Sequence, residues 1–447
     1  MLELIRNIFR IPELRQRILF TLGCLVVFRI GAHITCPGIS PTGLAEMIKS
    51  LNQGNFGGLI SFIDLFAGGA FERFTLFALG IMPYISASII IQILTTVVPH
   101  LEQLQKEGEA GRRQLQQYMR YGTILICAVQ AVAISRWIYS HPGVVAGDLQ
   151  GHPAFFSFIV VSTITAGTVF LMWLGEQITE RGIGNGVSLI IYAGIAARIP
   201  QEFMKVIDSV QKGDFNPVAF LLILFIFAVV VFFVVFEQEG QRRIPVQFAR
   251  KVVGRKVYGS QNTYIPFKVN PTGVIPIIFA SAMVMVPAQI AQMLGDKFQS
   301  VAQLATYLSP GQWPYVFVYG LLVIGFAYFY TFVVFNPVEI AENLKRSGGY
   351  IPGIRPGLHT QEYMHAVLTR ITVAGSIFLA IVAVFPDLLL KIPMFTGITP
   401  GFAHLMGGTS LLILISVDLD TMKQIESQLV MREYDGFLSR RRKKRVR

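Results

Sequence analysis

Ten apolar runs alternate with polar segments along the chain. A helix needs roughly 20 apolar residues to cross about 30 Å of hydrocarbon, which is close to the length of these runs. The fifth and ninth runs are shorter and are interrupted by glycine. The pattern predicts ten transmembrane helices, at about 18–35, 74–98, 121–139, 155–174, 183–199, 217–236, 272–293, 313–335, 370–386 and 402–418.

The basic residues lie mostly in alternate connecting segments. Of the 38 Lys and Arg residues, 29 lie in the two terminal segments and every second loop, and 7 lie in the other loops. Cytoplasmic segments of membrane proteins carry the excess of Lys and Arg. We therefore predict that both termini and the two long loops at 237–270 and 336–370 are cytoplasmic. The first apolar run has no convincing cleavage site, so we interpret it as a spanning helix and not as a signal peptide.

The composition agrees with a membrane protein. Hydrophobic residues make up 53% of the chain and charged residues 14%, and the mean hydropathy is +0.56. A soluble protein needs more charge than this to cover its surface. The net charge of +12 includes a basic run at 440–445. Attraction to anionic lipid is the simpler interpretation of that run, and contact with ribosomal RNA is the alternative.

Motifs for catalysis or metal binding are scarce. The three cysteines form no spaced cluster and the seven histidines are scattered, which argues against a disulfide framework or a metal site. The run Gly182–Gly186 has the glycines of a nucleotide-binding loop, but no strand precedes it and no Walker lysine follows. We expect no cofactor, no metal and no enzymatic activity, so energy must come from a partner or an ion gradient.

Five motifs rich in glycine, proline or charge occur in series. The first runs from Thr75 to Gln92 within the second apolar run and is followed by the charged loop 107–113; the others lie at 176–186, 269–276, 353–357 and 407–410. In sequence and order these motifs resemble the SecY family of protein-translocation channels, over most of the chain. Chance explains one such match, but it does not explain five in series.

The resemblance implies an all-α, polytopic membrane protein with ten transmembrane helices. Two pseudo-symmetric halves of five helices, 1–200 and 201–447, would surround a central hourglass pore with a short plug helix. The implied function is a passive channel in the bacterial cytoplasmic membrane, which moves unfolded secretory proteins across the membrane and membrane proteins laterally into it.

The resemblance also implies that six aliphatic side chains form the narrowest part of the pore: Ile81, Ile85, Val187, Ile191, Ile278 and Ile413. The first two are four residues apart and so share one face of a helix, and Val187 and Ile191 repeat that spacing. Branched aliphatic groups exclude water, so such a ring blocks ions by dewetting and closes around a passing polypeptide. The spacing alone fits ordinary packing against lipid or other helices equally well.

Residues 57–70 lie just before the second apolar run. A helix of about nine residues would be only about 14 Å long, too short to cross the bilayer, and its flanking glycine pairs would serve as hinges. By resemblance this segment is the plug, with apolar side chains Leu59, Ile60, Phe62, Ile63, Leu65 and Phe66. An interfacial helix is the alternative.

The family further implies a lateral gate toward lipid, between the second and third spans on one side and the seventh and eighth on the other. Gln92, Gln130 and Asn270 lie near these spans, and buried amides hydrogen-bond between helices. They are candidates for a polar latch at the gate. Two of them could instead satisfy local backbone groups.

The two long loops carry the candidate residues for binding partners: Arg242, Arg243, Arg250, Lys251, Arg255, Lys256, Lys345, Arg346 and Arg355. By resemblance these loops bind a SecA motor ATPase and the ribosome. Arg355, in a turn stiffened by Pro356, is the strongest candidate for coupling to a partner, and capping of a helix end is the alternative. The family also implies SecE-like and SecG-like small membrane subunits, and signal sequences and nascent chains as substrates. The motor, the ribosome or the proton-motive force would supply the energy.

Two other classes of protein compete with a channel. Ten spans also suit a secondary transporter built from inverted repeats. Transporters place ionisable residues at mid-membrane, whereas the apolar runs contain few, with Arg29 and His404 as the clear exceptions. A membrane-embedded enzyme would need a catalytic pair within the spans, and none stands out. The sequence therefore favours the channel.

Overall fold

The computed structural model describes residues 11–53, 64, 66–141, 143–213, 215–248, 251–253, 256–258, 262–294, 311–395 and 397–445. The described α-helices, in chain order, are α1 Pro12–Gly31, α2 Pro41–Gln53, α3 Met82–Val97, α4 Pro99–Lys106, α5 Glu109–Tyr139, α6 Pro153–Arg181, α7 Gly186–Gln211, α8 Pro217–Glu239, α9 Ile275–Leu294, α10 Trp313–Val334, α11 Pro337–Arg346, α12 Leu358–Leu389, α13 Pro400–Met406 and α14 Gly408–Arg445. The strands are β1 Gln241–Phe248, β2 Lys251–Val253, β3 Lys256–Tyr258, β4 Asn262–Lys268 and β5 Gly349–Tyr350.

Each of the ten predicted runs overlaps a helix. Within the described residues, six stretches are long and apolar enough to cross a membrane: Glu109–Tyr139, Pro153–Arg181, Pro217–Glu239, Trp313–Arg346, Leu358–Leu389 and Pro400–Val430. A seventh is possible if α3 and α4, which meet at 100°, are one broken span. The protein is therefore mostly helical and passes through the membrane several times, as the hydropathy pattern predicted.

The second span begins later than predicted. Residues 74–81 are not helical, because Phe74 and Gly80 both have left-handed backbone conformations, with φ of +45° and +57°. Helix α3 starts at Met82, with proline in its first turn, where the missing N–H costs no hydrogen bond. The bend between α3 and α4 also has a proline, Pro99, at its far side. The segment that enters α3 is consequently irregular.

The fifth and ninth spans are longer than predicted. Helix α7 has 26 residues and continues through Pro200, and α12 has 32 residues and contains Pro386. Both continue as helix beyond their apolar runs, where hydropathy no longer marks them. The predicted boundary between the halves, at 200/201, falls inside α7, which ends at Gln211. The division into two halves stays a prediction.

The charged loops contain five short strands, which the all-α prediction did not include. Strand β1 pairs antiparallel with β4, from Gln241 opposite Lys268 to Gln247 opposite Asn262. On its other edge β1 pairs with β5 of the second loop. Buried Ile244 and Phe267 of this sheet pack with Met364 near the start of α12. The two loops thus form one folded unit and do not project separately into water.

The largest hydrophobic cluster brings together both ends of the chain. It contains side chains of α1, α3, α6, α7, α9 and α14, and of the segment that enters α3. Helix α5 packs along α6, and α10 packs along α12. Large side chains such as Leu125 and Phe225 are exposed on the outer helices, on surfaces suited to lipid.

Candidate pore constriction

The six aliphatic residues predicted to form the ring lie in one hydrophobic cluster. Five are buried, and Val187 is half-buried and packs against the others. The ring, as we call these six residues, draws on four helices that are distant in sequence: α3 or its N-cap (Ile81, Ile85), α7 (Val187, Ile191), α9 (Ile278) and α14 (Ile413). A constriction built this way changes its width when the helices shift relative to one another.

Local backbone structure places each pair of ring residues. Ile81 is the N-cap of α3, and the N–H of Ile85 donates to its carbonyl over 3.1 Å. The two side chains therefore still lie one helical turn apart. Helix α7 starts where the Asn185 side chain accepts from the N–H of Val187, over 3.1 Å, and from that of Ser188. This cap positions Val187 in the first turn of α7.

Asp64 and residues 66–73, which we call the central segment, lie beside the ring. Phe66, Ala67 and Ala70 are buried in the same hydrophobic cluster as the ring. Gly68 has φ of +65°, and a Cβ atom there would come within 2.7 Å of the Cα of Gly194 in α7. The other predicted plug side chains, Leu59, Ile60, Phe62, Ile63 and Leu65, lie outside the described residues.

A buried ion pair, absent from the prediction, joins the central segment to α7. One carboxylate oxygen of Asp64 accepts from the backbone N–H groups of Phe71 and Glu72, each over 3.0 Å. The other lies 2.9 Å from Nη1 of Arg198. Burial raises the pKa of the Asp64 carboxyl, and the guanidinium beside it opposes that rise.

The ion pair continues into a small charged network. Nη2 of Arg198 is 3.8 Å from a carboxylate oxygen of Glu202, which also accepts from Nζ of Lys205 over 2.6 Å. The other Glu202 oxygen accepts from the Thr399 hydroxyl over 3.1 Å. Thr399 is the N-cap of α13, so the network links α7 both to the central segment and to the region before α14.

A sequence signal for this network exists along α7. Arg198 and Glu202 follow Ile191 by 7 and 11 residues, at helical spacings that keep them on the face that carries the ring residues. The predicted span ends at 199, so hydropathy places Arg198 at its polar end and Glu202 in the following loop. Their partner Asp64 is remote in sequence, and spacing within α7 cannot identify it.

The three candidate gate residues lie in different surroundings. The Gln92 side chain of α3 lies close to the hydroxyl of Tyr330 in α10, although its amide oxygen accepts no hydrogen bond from the described residues. Asn270 is buried, but its amide donates to the Gly273 carbonyl and its oxygen accepts from Thr272, so it serves the local turn. Gln130 is half-buried on α5. Of the three, Gln92 has the contact between helices that a latch requires.

The predicted partner-binding residues of the two loops fall into three groups. Arg242, Arg243, Lys345, Arg346 and Arg355 are exposed. Lys251 and Lys256 lie on the short strands β2 and β3, whereas Arg250 and Arg255 lie outside the described residues.

Arg355 lies shortly before Gly357, the N-cap of α12. A cation at that end is not stabilised by the helix dipole, which argues against capping as its role.

Buried ionisable residues are more numerous than the sequence suggested. Besides Arg198, Glu202 and His404, the helices bury Glu237 and Asp387. These last two lie in the final turns of α8 and α12, away from the middle of their spans. Among the described residues, no group of three His, Cys, Asp or Glu side chains could hold a metal ion.

Comparison with known proteins gives one consistent result. The SecY family model matches residues 75–422. The protein translocase subunit SecY of Escherichia coli K12 is 44% identical over 433 residues, which covers 96% of this chain and 94% of that protein. A solved protein conducting channel superimposes with a TM-score of 0.65 at 20% identity, covering 95% of this chain and 96% of the other. Sec61 in the canine ribosome–channel complex gives 0.61 at 19% identity, with the same coverage. The chain belongs to the SecY family.

Proposed function

We propose that this chain is the channel-forming subunit of a protein translocase, which moves unfolded proteins across a membrane and membrane proteins laterally into it. Membership of the family over nearly the whole chain supports this function, since the relative at 44% identity is a protein translocase subunit. The observation that carries the proposal is the ring, because six branched aliphatic side chains from four helices meet in one cluster. A channel for chains of any sequence needs such an apolar, deformable constriction.

In the closed state the ring and the central segment would together form the seal. A constriction lined by isoleucine and valine does not hold water, and ions do not pass without their hydration shell. Phe66 and Ala67 of the central segment add apolar surface to the same cluster. During translocation the segment would move aside, and the ring side chains would close around the polypeptide.

The lateral gate would open where α3 faces α9 and α10. These helices come from opposite parts of the chain: α3 contacts α9, and the Gln92 side chain lies close to Tyr330 of α10. Phe279 of α9 packs edge-to-face on Tyr330, with ring centroids 5.7 Å apart, so this aromatic group is central to the interface. A hydrophobic signal sequence that enters here would replace contacts between helices with contacts of similar polarity.

The folded unit formed by the two charged loops is the proposed docking surface for partners. Its exposed Arg and Lys side chains suit phosphate groups and acidic surfaces. A ribosome partner is supported by the structural relative found in a ribosome–channel complex. A SecA-like motor and SecE-like and SecG-like small subunits are further partners that we propose. Force would come from the motor, the ribosome or the proton-motive force, and the channel itself would be passive.

We also propose that the membrane is the bacterial cytoplasmic membrane and that both termini are in the cytoplasm. The excess of Lys and Arg in the two terminal segments and in every second loop supports this orientation. The basic C-terminal run would then face the anionic inner leaflet.

Crosslinking from the ring to a stalled secretory chain tests the function. A photoreactive amino acid at position 85 or 278 should crosslink to the translocating chain. Position 225 on α8, where the native Phe225 is 67% exposed on the outer surface, is the matched control and should crosslink to lipid. Equal yields of protein adduct at positions 278 and 225 would show that the ring does not line the path.

A further inference from the structure

Three contacts hold the central segment against neighbouring helices. Nη1 of Arg29 in α1 donates to the Gly68 carbonyl over 3.2 Å. The backbones of Gly68 and Gly194 touch, with no room for a side chain between them. The third contact is the ion pair of Asp64 with Arg198 in α7, in which Asp64 is 1% exposed and Arg198 is 7% exposed.

The ion pair differs from the other two contacts because it joins two buried charges, and each charge depends strongly on the other. Surface ion pairs contribute little, but a buried charge that loses its partner is strongly destabilised. The buried position of Asp64 therefore depends on Arg198, because its carboxylate would otherwise be buried without a compensating charge. When the segment leaves, the Glu202 carboxylate is still 3.8 Å from Arg198, so the guanidinium is not left as an isolated buried charge. This arrangement favours the closed position without making it irreversible.

The same face of α7 carries the ring and the ion pair. Arg198 lies seven residues beyond Ile191, about 10 Å or two turns further along the helix. Contacts that hold the central segment to this face consequently hold it next to the ring.

We propose that Asp64 and Arg198 are positioning residues, whose ion pair holds the central segment in the closed channel and restrains passage of ions. This inference rests on the proposed channel function. Loss of the pair shifts the population toward the open, ion-conducting state. Glu202 acts through Arg198, whose Nη2 lies 3.8 Å from its carboxylate, and Lys205 acts through Glu202, with which it pairs over 2.6 Å.

Ion leak through the purified channel in proteoliposomes, without substrate or motor, tests the proposal. Asp64→Asn keeps a side-chain oxygen for the N–H groups of Phe71 and Glu72 but removes the charge. Arg198→Gln removes the guanidinium, and the double variant leaves no unpaired charge between these two positions. We expect Asp64→Asn and the double variant to leak about 10-fold more than the wild type, and Arg198→Gln at least as much, because it also leaves Asp64 as a lone buried charge. A tenfold shift corresponds to about 1.4 kcal/mol.

Arg120→Gln is the matched control. It removes another arginine–carboxylate pair, with Glu176 at 2.8 Å, that joins α5 to α6 away from the central segment. Its leak should equal that of the wild type. Wild-type leak in Asp64→Asn and in the double variant would overturn the proposal. So would a double variant whose increase is the product of the two single increases, since independent effects multiply.

A ring variant in the same assay separates this proposal from the channel function. If Ile278→Asn leaks and the Asp64→Asn and double variants do not, the ion pair has no positioning role, although the channel function stands. If Ile278→Asn does not leak, sealing by the ring, which carries the proposed function, is contradicted. The double variant also guards against misfolding, because neutral side chains at both positions avoid the cost of a lone buried charge.

Discussion

Replacing one ring residue with a polar side chain should open a path for ions. Ile278 is buried beside the other ring residues, and its replacement by Asn puts an amide where the cluster has a branched alkyl group. An amide binds water, so the constriction fills with water more easily. We expect Ile278→Asn to increase ion conductance in the absence of substrate.

The size of the effect follows from the side chain that is lost. Burying an isoleucine side chain contributes about 1.5–3 kcal/mol relative to leaving it in water. If the hydrated state of the ring gains about 2 kcal/mol relative to the dry state, its population rises roughly 30-fold, since 1.4 kcal/mol is a factor of ten. Ile278→Val, which stays branched and apolar as Val187 does, should leave the leak near the wild-type level.

Single-channel and bulk conductance in planar bilayers measure this difference. Ile381→Asn on α12, where the native side chain is 60% exposed, controls for the effect of a polar group on the outer surface of the protein. Wild-type conductance in Ile278→Asn would refute sealing by dewetting. Equal leaks in Ile278→Val and Ile278→Asn would show that packing volume, and not polarity, closes the ring.

Three further predictions concern the surroundings of the ring. Arg355→Glu should impair motor-driven transport into reconstituted vesicles while thermal unfolding stays unchanged, because the side chain is exposed; normal transport would contradict a docking role. Gly68→Ala should lower the thermal unfolding temperature more than Gly69→Ala. Both glycines have positive φ, but only a Cβ atom at Gly68 would meet another backbone, 2.7 Å from the Cα of Gly194. Equal shifts would contradict the close approach. Gln92→Leu and Tyr330→Phe should each weaken the closed gate by about 1 kcal/mol. Export of proteins with defective signal sequences measures this effect. Additive effects in the double variant would show that the two side chains do not act as a pair.

Hydropathy and charge predicted the spans and the class of protein because the membrane imposes a simple constraint on composition. Helix ends were predicted less well. Phe74 and Gly80 end the regular structure before α3 through backbone conformation, which apolarity does not reveal. Helix α7 continues past 199 as an amphipathic helix, whose polar residues look like a loop when only apolar runs are counted.

The strands of the charged loops could have been predicted from alternation. In β1, Ile244 and Val246 are buried and alternate with outward-facing residues, a period of two that is typical of strands. The high charge of the loop obscured this pattern. Pairing of β1 with β5 joins two loops that are far apart in sequence, and that contact depends on the helices that bring them together.

The ring was identified from the family resemblance, and the structure adds the reason why α7 is central to it. One face of this helix presents Val187 and Ile191 to the ring, Gly194 to the central segment, and Arg198 to Asp64. A helix moves as a rigid body over these few turns. A shift of α7 away from α3 would therefore widen the ring and strain the ion pair in the same movement. In the proposed channel, sealing by the ring and restraint of the central segment would thus be coupled through one helix, so a chain that parts the ring would also work against the contact that keeps the segment in place.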